Sequence, residues 1–269
     1  MVTSTKGAGR AMTTATRPIR VVVSGPDGRM GRAMTSGLPR EQGIDIVGTL
    51  RRADASPSVA KTLAGADVLV DFTHVSAARG LMLRAIEAGV RPVSGTSGVT
   101  EEDLRAVDDA ARARGIGAVW AANFRLMGVL LTHFARIAAR YVDTVEIIEA
   151  HHATKADAPS GFAKELARNI RDAHGDALFD PPVRNETLAG VRGGVHGGVR
   201  VHSLRLPELQ PNGWHELIFA GGQELLSIRH DDWGYEAYAM TVANAVRKVM
   251  EPGVVGLVRG YGAVIGLEV

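Results

Sequence analysis

Arg20-Val21-Val22-Val23 is a short β-branched run ending at Ser24-Gly25, and Gly25-Pro26-Asp27-Gly28-Arg29-Met30-Gly31 then leads into residues of helical composition, Arg29 to Leu38. A buried strand feeding a glycine turn and a helix constrains topology more than any other feature of this chain. The alternation continues. Strands at Ile44–Leu50, Val68–Phe72, Arg91–Ser94 and Ala118–Ala121 are interleaved with helical stretches at Ala77–Ala88 and Glu101–Arg114. The last of these opens on three acids, which complement the dipole of a helix start. Strands joined by helical crossovers imply a parallel sheet with helices on both faces.

The character changes after Asn123. A helix at Met127–Tyr141 leads into a strand at Thr144–Glu149, then a helix at Gly161–His174 and a glycine- and proline-rich loop at Asp180–Gly198. Val199–Leu206, His215–Ala220 and Glu224–Arg229 read as an antiparallel meander, followed by a helix at Glu236–Met250 and a short tail. The expected fold class is α/β: a Rossmann-like parallel sheet, then an α+β domain on a mostly antiparallel sheet. A chain of 269 residues is long enough for two cores. We assign 1–18 to a disordered tail, 19–123 to dinucleotide binding and 124–240 to substrate binding and oligomerisation. Residues 241–269 are expected to return to the first domain as a helix and tail.

Composition narrows the chemistry. Cysteine is absent, which removes disulfides, thiolate metal sites and thiol nucleophiles. A net charge of +2 without a basic block argues against nucleic acid, and no apolar run reaches the roughly 18–20 residues that span a bilayer. The first 18 residues lack the apolar centre of a secretory signal, so the cytoplasm is the expected compartment. Only five of the 31 basic residues are Lys, so a lysine at a special position carries more information than an arginine.

Two stretches carry chemistry. The first is the glycine turn, whose spacing lets a pyrophosphate approach backbone N–H groups at a helix start, with Asp27 at the position usually held by the middle glycine. The second strand ends in Thr49-Leu50-Arg51-Arg52 with no acid for a ribose 2′-hydroxyl, and two guanidiniums there favour a 2′-phosphate, hence NADPH over NADH. The other stretch is Glu149-Ala-His151-His152-Ala-Thr-Lys155-Ala-Asp157-Ala-Pro159-Ser160-Gly161. Two imidazoles, an ammonium and the free N–H groups of a helix start suit a small dianionic substrate that is protonated as it is reduced. No third ligand accompanies the histidines in sequence, so no metal is expected.

Taken with Asp71-Phe72-Thr73, Gly95-Thr96-Ser97-Gly98 and Ala121-Ala122-Asn123-Phe124, these motifs resemble the dihydrodipicolinate reductase family from Ile19 to about Lys248. The resemblance implies reduction of a cyclic conjugated imine, 4-hydroxy-tetrahydrodipicolinate, in lysine and diaminopimelate biosynthesis by a homotetramer assembled through the second sheet. It implies that Gly25, Pro26, Asp27, Gly28, Arg29 and Met30 cradle the pyrophosphate, and that Gly95, Thr96, Ser97, Ala121, Ala122, Asn123 and Phe124 line the nicotinamide pocket. His151 and Lys155 match the catalytic pair; His152, Lys155, Ser160 and Gly161 match substrate-binding positions. Phe162 departs from the family pattern, which has a threonine there. If its ring faces the core with Leu166 and Ile170, only a hydroxyl is lost; if it enters the pocket, the site narrows. Met127, Val75, Trp214, Gly234-Tyr235 and Thr241 are further departures. Two alternatives follow: an NADPH-dependent reductase of another cyclic imine or keto acid, or a non-catalytic nucleotide sensor.

Overall fold

Val21, Val22 and Val23 are fully buried, as a strand covered by helices on both sides must be. They form β1 (Ile19–Ser24) in the computed structural model, which describes residues 17–51, 56–207, 209 and 213–267. The first half alternates strand and helix: α1 (Arg29–Gly37), β2 (Ile44–Leu50), α2 (Ser56–Leu63), β3 (Val68–Asp71), α3 (Val75–Glu87), β4 (Arg91–Ser94), α4 (Glu101–Arg114) and β5 (Gly117–Trp120). The second half follows as α5 (Leu126–Ala138), β6 (Thr144–His152), α6 (Gly161–His174), β7 (Gly194–His196), β8 (Val199–Leu206), β9 (Gly213–Gly221) and β10 (Glu224–Asp232). The chain ends through α7 (Tyr238–Val249), β11 (Gly256–Arg259) and α8 (Tyr261–Val264).

The first sheet is parallel throughout, in the order β11-β5-β4-β3-β1-β2. One of its faces packs on Met34 and Leu38 from the first helical segment and on Val242, Val246 and Val249 from α7. The other is covered by Leu63, Leu81, Ala85 and their neighbours on α2 and α3. The C-terminal tail was not expected to contain a strand, yet β11 extends this sheet by pairing with β5; α2 also escaped the sequence reading. Because β2 and β3 lie on opposite sides of β1, the winding direction switches there. A crevice opens beyond the carboxyl ends of strands at such a point.

A buried carboxylate fixes those ends. Asp71 is 0% exposed and accepts hydrogen bonds from the hydroxyls of Ser24 (2.7 Å), Thr73 (2.7 Å), Ser94 (2.8 Å) and Thr96 (2.8 Å). These donors come from the ends of β1, β3 and β4, so one side chain holds the edge on which the glycine turn sits.

The second sheet runs β10-β9-β6-β8-β7, and it corrects the expected meander. β9 and β10 do form an antiparallel pair, but β6 inserts between β8 and β9, parallel to the former and antiparallel to the latter. The segment read as loop also holds β7. Local alternation marks each strand as half-buried without saying which strand lies beside it. On the inner face Val145, Ile147, Val201, Leu217 and Phe219 pack against Leu131, Ala135, Leu166 and Ile170 of α5 and α6. The period of two then carries Glu149 and His151 onto this face, and the pairing register brings Ser203, Arg205, His215, His230 and Asp232 with them. Polar residues therefore collect at one end of an otherwise apolar interface. Among the described residues no helix is long and apolar enough to cross a membrane.

Asp71→Ala strands four hydroxyls at once, three of them buried. We expect it to lower unfolding stability by about 3 kcal/mol, measured as a shift in urea midpoint at constant m-value.

Candidate active site

The glycine turn keeps its backbone accessible for steric reasons. A Cβ on Gly31 would lie 1.9 Å from the carbonyl oxygen of Gly25, so only glycine lets α1 start this close to β1. Gly28 caps α1 without a side-chain hydrogen bond, and the first turn contains no acid. Its leading N–H groups are thus unspent, an arrangement that suits an anionic pyrophosphate. Pro26 is buried, Asp27, Gly28 and Arg29 are exposed, and Met30 is half-buried. Arg51, just beyond β2, reaches the turn and pairs with Asp27 at 3.0 Å. Arg52 lies outside the described residues.

The residues expected around a nicotinamide stand at the carboxyl ends of β4 and β5, along the same edge. Gly95 has no room for a side chain, since a Cβ would sit 2.0 Å from the Phe72 ring. Thr96 commits its hydroxyl to Asp71 and its carbonyl to the Trp120 indole (3.0 Å), whereas Ser97 and Ala122 are exposed. Ala121 is buried, and the Asn123 side-chain oxygen accepts from the Arg125 amide at 2.9 Å. The Phe124 ring is core, packed between Phe72 and Tyr261 with centroids 5.8 Å from each. Only its backbone remains available to a ligand.

On the opposite side lies a cleft of about 380 Å³, lined by His151, His152, Lys155, Ser160, Gly161 and Phe162 from the second half and by Arg29 from the glycine turn. His215, Arg125 and Tyr235 also line it. The turn and the His-His-Lys segment therefore face one space. Lys155 Nζ sits 2.5 Å from Asp157, whose carboxyl is held below its usual range chiefly by that bond. His152 Nδ1 is 2.8 Å from the Thr154 hydroxyl.

Glu149 organises this region. It is fully buried and accepts from the Ser160 amide (3.0 and 3.1 Å), the Ser203 hydroxyl (2.8 Å) and the Arg205 guanidinium (3.3 Å). Burial pushes its carboxyl up, but His215, Ser160 and Ser203 outweigh that and hold it well below the usual carboxylate range. The Ser160 amide was expected to bind substrate; it is spent on Glu149 instead. Its hydroxyl accepts from the Ala163 amide (3.1 Å) and lies 3.3 Å from His215 Nε2. Gly161 is exposed with nothing within 4 Å of where a Cβ would be, so the helix start remains open from that residue on.

His151 is pushed down to about 4, mainly by burial, against the pull of Glu149 and with His215, Lys155 and Arg205 adding to the fall. It is neutral at pH 7. Its Nδ1 lies 3.5 Å from Glu149, and His215 Nε2 lies 3.7 Å away on the same carboxylate. In space a possible ligand cluster forms around only one of the two adjacent histidines: ligand atoms of Glu149, His151 and His215 fall within 4.8 Å of one another, and His152 is not among them. The Glu149 carboxylate, however, already receives Ser160, Ser203 and Arg205, a donor set that suits a hydrogen-bonded anchor better than a cation ligand.

Phe162 meets both readings made for it. Its ring packs against the core of α5 and α6 and also lines the cleft, edge-on to His215 with centroids 4.9 Å apart. Glu149, His215 and His230 escaped the sequence reading as site residues. Glu149 was visible in the motif; the other two had only burial on a strand to mark them.

Replacing the buried anion tests this arrangement. Glu149 has a folded pKa below its unfolded value, so its contribution is present above about pH 4.3 and is lost as pH falls further. Glu149→Gln should cost about 2 kcal/mol at pH 7, and the gap from wild type should narrow in urea titrations repeated below pH 4.

Comparison with known proteins agrees in both halves. The family model "Dihydrodipicolinate reductase, N-terminus" matches residues 19–124, and "Dihydrodipicolinate reductase, C-terminus" matches 128–259. A 4-hydroxy-tetrahydrodipicolinate reductase of Moorella thermoacetica is 40% identical over 269 residues, covering 93% of this chain and 97% of that one. The enzyme of the same name from Bacillus subtilis is 35% identical, covering 87% and 93%. A dipicolinate-bound dihydrodipicolinate reductase from Paenisporosarcina sp. TG-14 superposes with a TM-score of 0.81 at 29% identity, covering 90% of this chain and 98% of that one. With each half matched in sequence and the whole matched in space, the chain belongs to the dihydrodipicolinate reductase family.

Proposed function

We propose that the chain reduces 4-hydroxy-tetrahydrodipicolinate to tetrahydrodipicolinate with NAD(P)H, in lysine and diaminopimelate biosynthesis. One observation carries this reading: Lys155, His151 and the open start of α6 share a single cleft with Arg29 of the glycine turn. The first half would act as the dinucleotide-binding domain, with Gly25 to Met30 around the pyrophosphate and residues 95–97 and 121–124 near the nicotinamide. The second would hold a small dicarboxylate.

The bound dinucleotide supplies a hydride. Loss of the 4-hydroxyl as water gives the conjugated imine; as hydride adds to one end of it, negative charge builds on the nitrogen side, and a positioned acid must meet it. Lys155 is the residue for that proton, because its ammonium lines the cleft and His151 is neutral at working pH. Asp157 steers the Lys155 side chain. His151 then acts as a hydrogen-bonding partner in the transfer. One substrate carboxylate lies against the Gly161 amide at the start of α6, where the helix dipole favours it. The other meets His152 or Lys155. Closure of the cleft would turn on residues 123–124 and 234–240, the two crossings between the halves.

NADPH is the preferred reductant in this reading, supported by Arg51 beside the glycine turn. A homotetramer is supported by the outer face of the second sheet, where Leu204, Leu206 and Leu225 are 41%, 42% and 74% exposed. A second reading keeps the chemistry and changes the substrate to another cyclic imine or keto acid. Phe162 favours it, since the ring lines the cleft and offers no hydrogen bond.

Lys155→Ala should reduce kcat by about 10²–10⁴ while leaving the NADPH Kd unchanged; an unaltered kcat would reject the acid. Arg51→Ala should lower kcat/KM for NADPH by about tenfold or more and leave NADH nearly unaffected, and an NADH preference in the wild type would overturn the assignment. Phe162→Thr distinguishes the two substrates: a large gain in kcat/KM with 4-hydroxy-tetrahydrodipicolinate would favour the second reading.

A further inference from the structure

One substrate carboxylate has a helix start in this cleft, while the other has only His152 or a lysine that already serves another purpose. His151 is neutral, and the Lys155 ammonium is paired with Asp157 and needed as the acid. Arg125, which no motif marked, stands in the same cleft. It is the residue from which α5 departs, directly after the crossing from the first sheet.

Its guanidinium is held from two sides. Nη1 pairs with Asp232, 6% exposed at the end of β10, and the Asp232 carboxylate also accepts from the Gly234 amide at 3.2 Å. The Tyr238 ring lies beneath, 5.3 Å from the guanidinium carbon. Nε is buried and has no hydrogen-bond partner among the described residues, so it is closed to a ligand, while 22% of the side chain remains open. A planar cation fixed along one edge, with donors left over, has the geometry that reads a carboxylate.

Arg125 and Phe162 are also neighbours. A Cβ placed on Gly128 would meet the tip of the Phe162 ring at 3.3 Å and the Arg125 stem at 3.5 Å. The ring that brings no hydrogen bond into the cleft thus lies beside the stem of a cationic residue that lines the same cleft.

We propose that Arg125 is a substrate-binding residue of this chain, its guanidinium taking one carboxylate of the dicarboxylate next to the apolar Phe162 ring. The proposal rests on the dicarboxylate-reductase reading and deepens it. Asp232 and Tyr238 are positioning residues for the guanidinium.

Titration calorimetry with pyridine-2,6-dicarboxylate and pyridine-2-carboxylate, in the presence of NADPH, separates the two claims because it needs no turnover. Arg125→Met should weaken the dicarboxylate by about 10–100-fold and the monocarboxylate by less than about twofold, with NADPH affinity unchanged. Arg125→Lys keeps the charge and loses the fork, and should fall between wild type and Arg125→Met; it decides the matter if the methionine variant does not fold. Equal weakening of both ligands, or no weakening of either, overturns the role of Arg125. Wild type that binds neither ligand, or binds both alike, overturns both readings. Wild type that distinguishes them but fails to reduce 4-hydroxy-tetrahydrodipicolinate overturns only the assigned substrate.

Discussion

The Glu149 carboxylate is taken wholly out of water, and the second half of the molecule is built around keeping it ionised there. A buried carboxylate without donors would be too costly to retain. Its donors come from two other elements, the start of α6 through Ser160 and β8 through Ser203 and Arg205, and His215 of β9 lies 3.7 Å away. Satisfying one charge therefore fixes the helix start against the sheet. The Ser160 amide is consumed, so the anion-binding character of α6 is presented from Gly161 onward, towards the cleft.

The same charge sets the protonation pattern. His151 lies beside Glu149, yet burial and the neighbouring cations outweigh the attraction and leave the imidazole neutral. Positive charge in the cleft consequently resides on Lys155, Arg125 and Arg29, the first two each held by its own carboxylate, Asp157 and Asp232. A strongly basic side chain paired with an acid stays oriented without being consumed, because it has donors to spare.

Asp71 performs the corresponding task in the first half with neutral donors. Four hydroxyls surround it, and they join the ends of β1, β3 and β4 where the winding switches. The glycine turn rests on that edge. Arg29 from the turn lies over Tyr235 at 5.6 Å, and Arg125 reaches Asp232 and Tyr238, so contacts of the two halves concentrate on the two chain crossings.

The sequence alone determined what short-range spacing can carry. A β-branched run, a glycine turn and a helix declare a parallel first sheet, because periodicity and turn chemistry are local. The segment from Glu149 to Gly161 declares its chemistry for the same reason: strand, turn and helix start follow one another without interruption. Tertiary structure decided the rest. The neighbours of β6 were not legible, since alternation says that a strand is half-buried and not what lies beside it. Ser160 meets His215 across 55 positions and Glu149 meets Arg205 across 56, separations at which spacing holds no information. Arg125 looked like one arginine among many until Asp232 and Tyr238 closed around it. Where a side chain's role depends on what desolvates it and which donors remain unspent, only the packed chain supplies the answer.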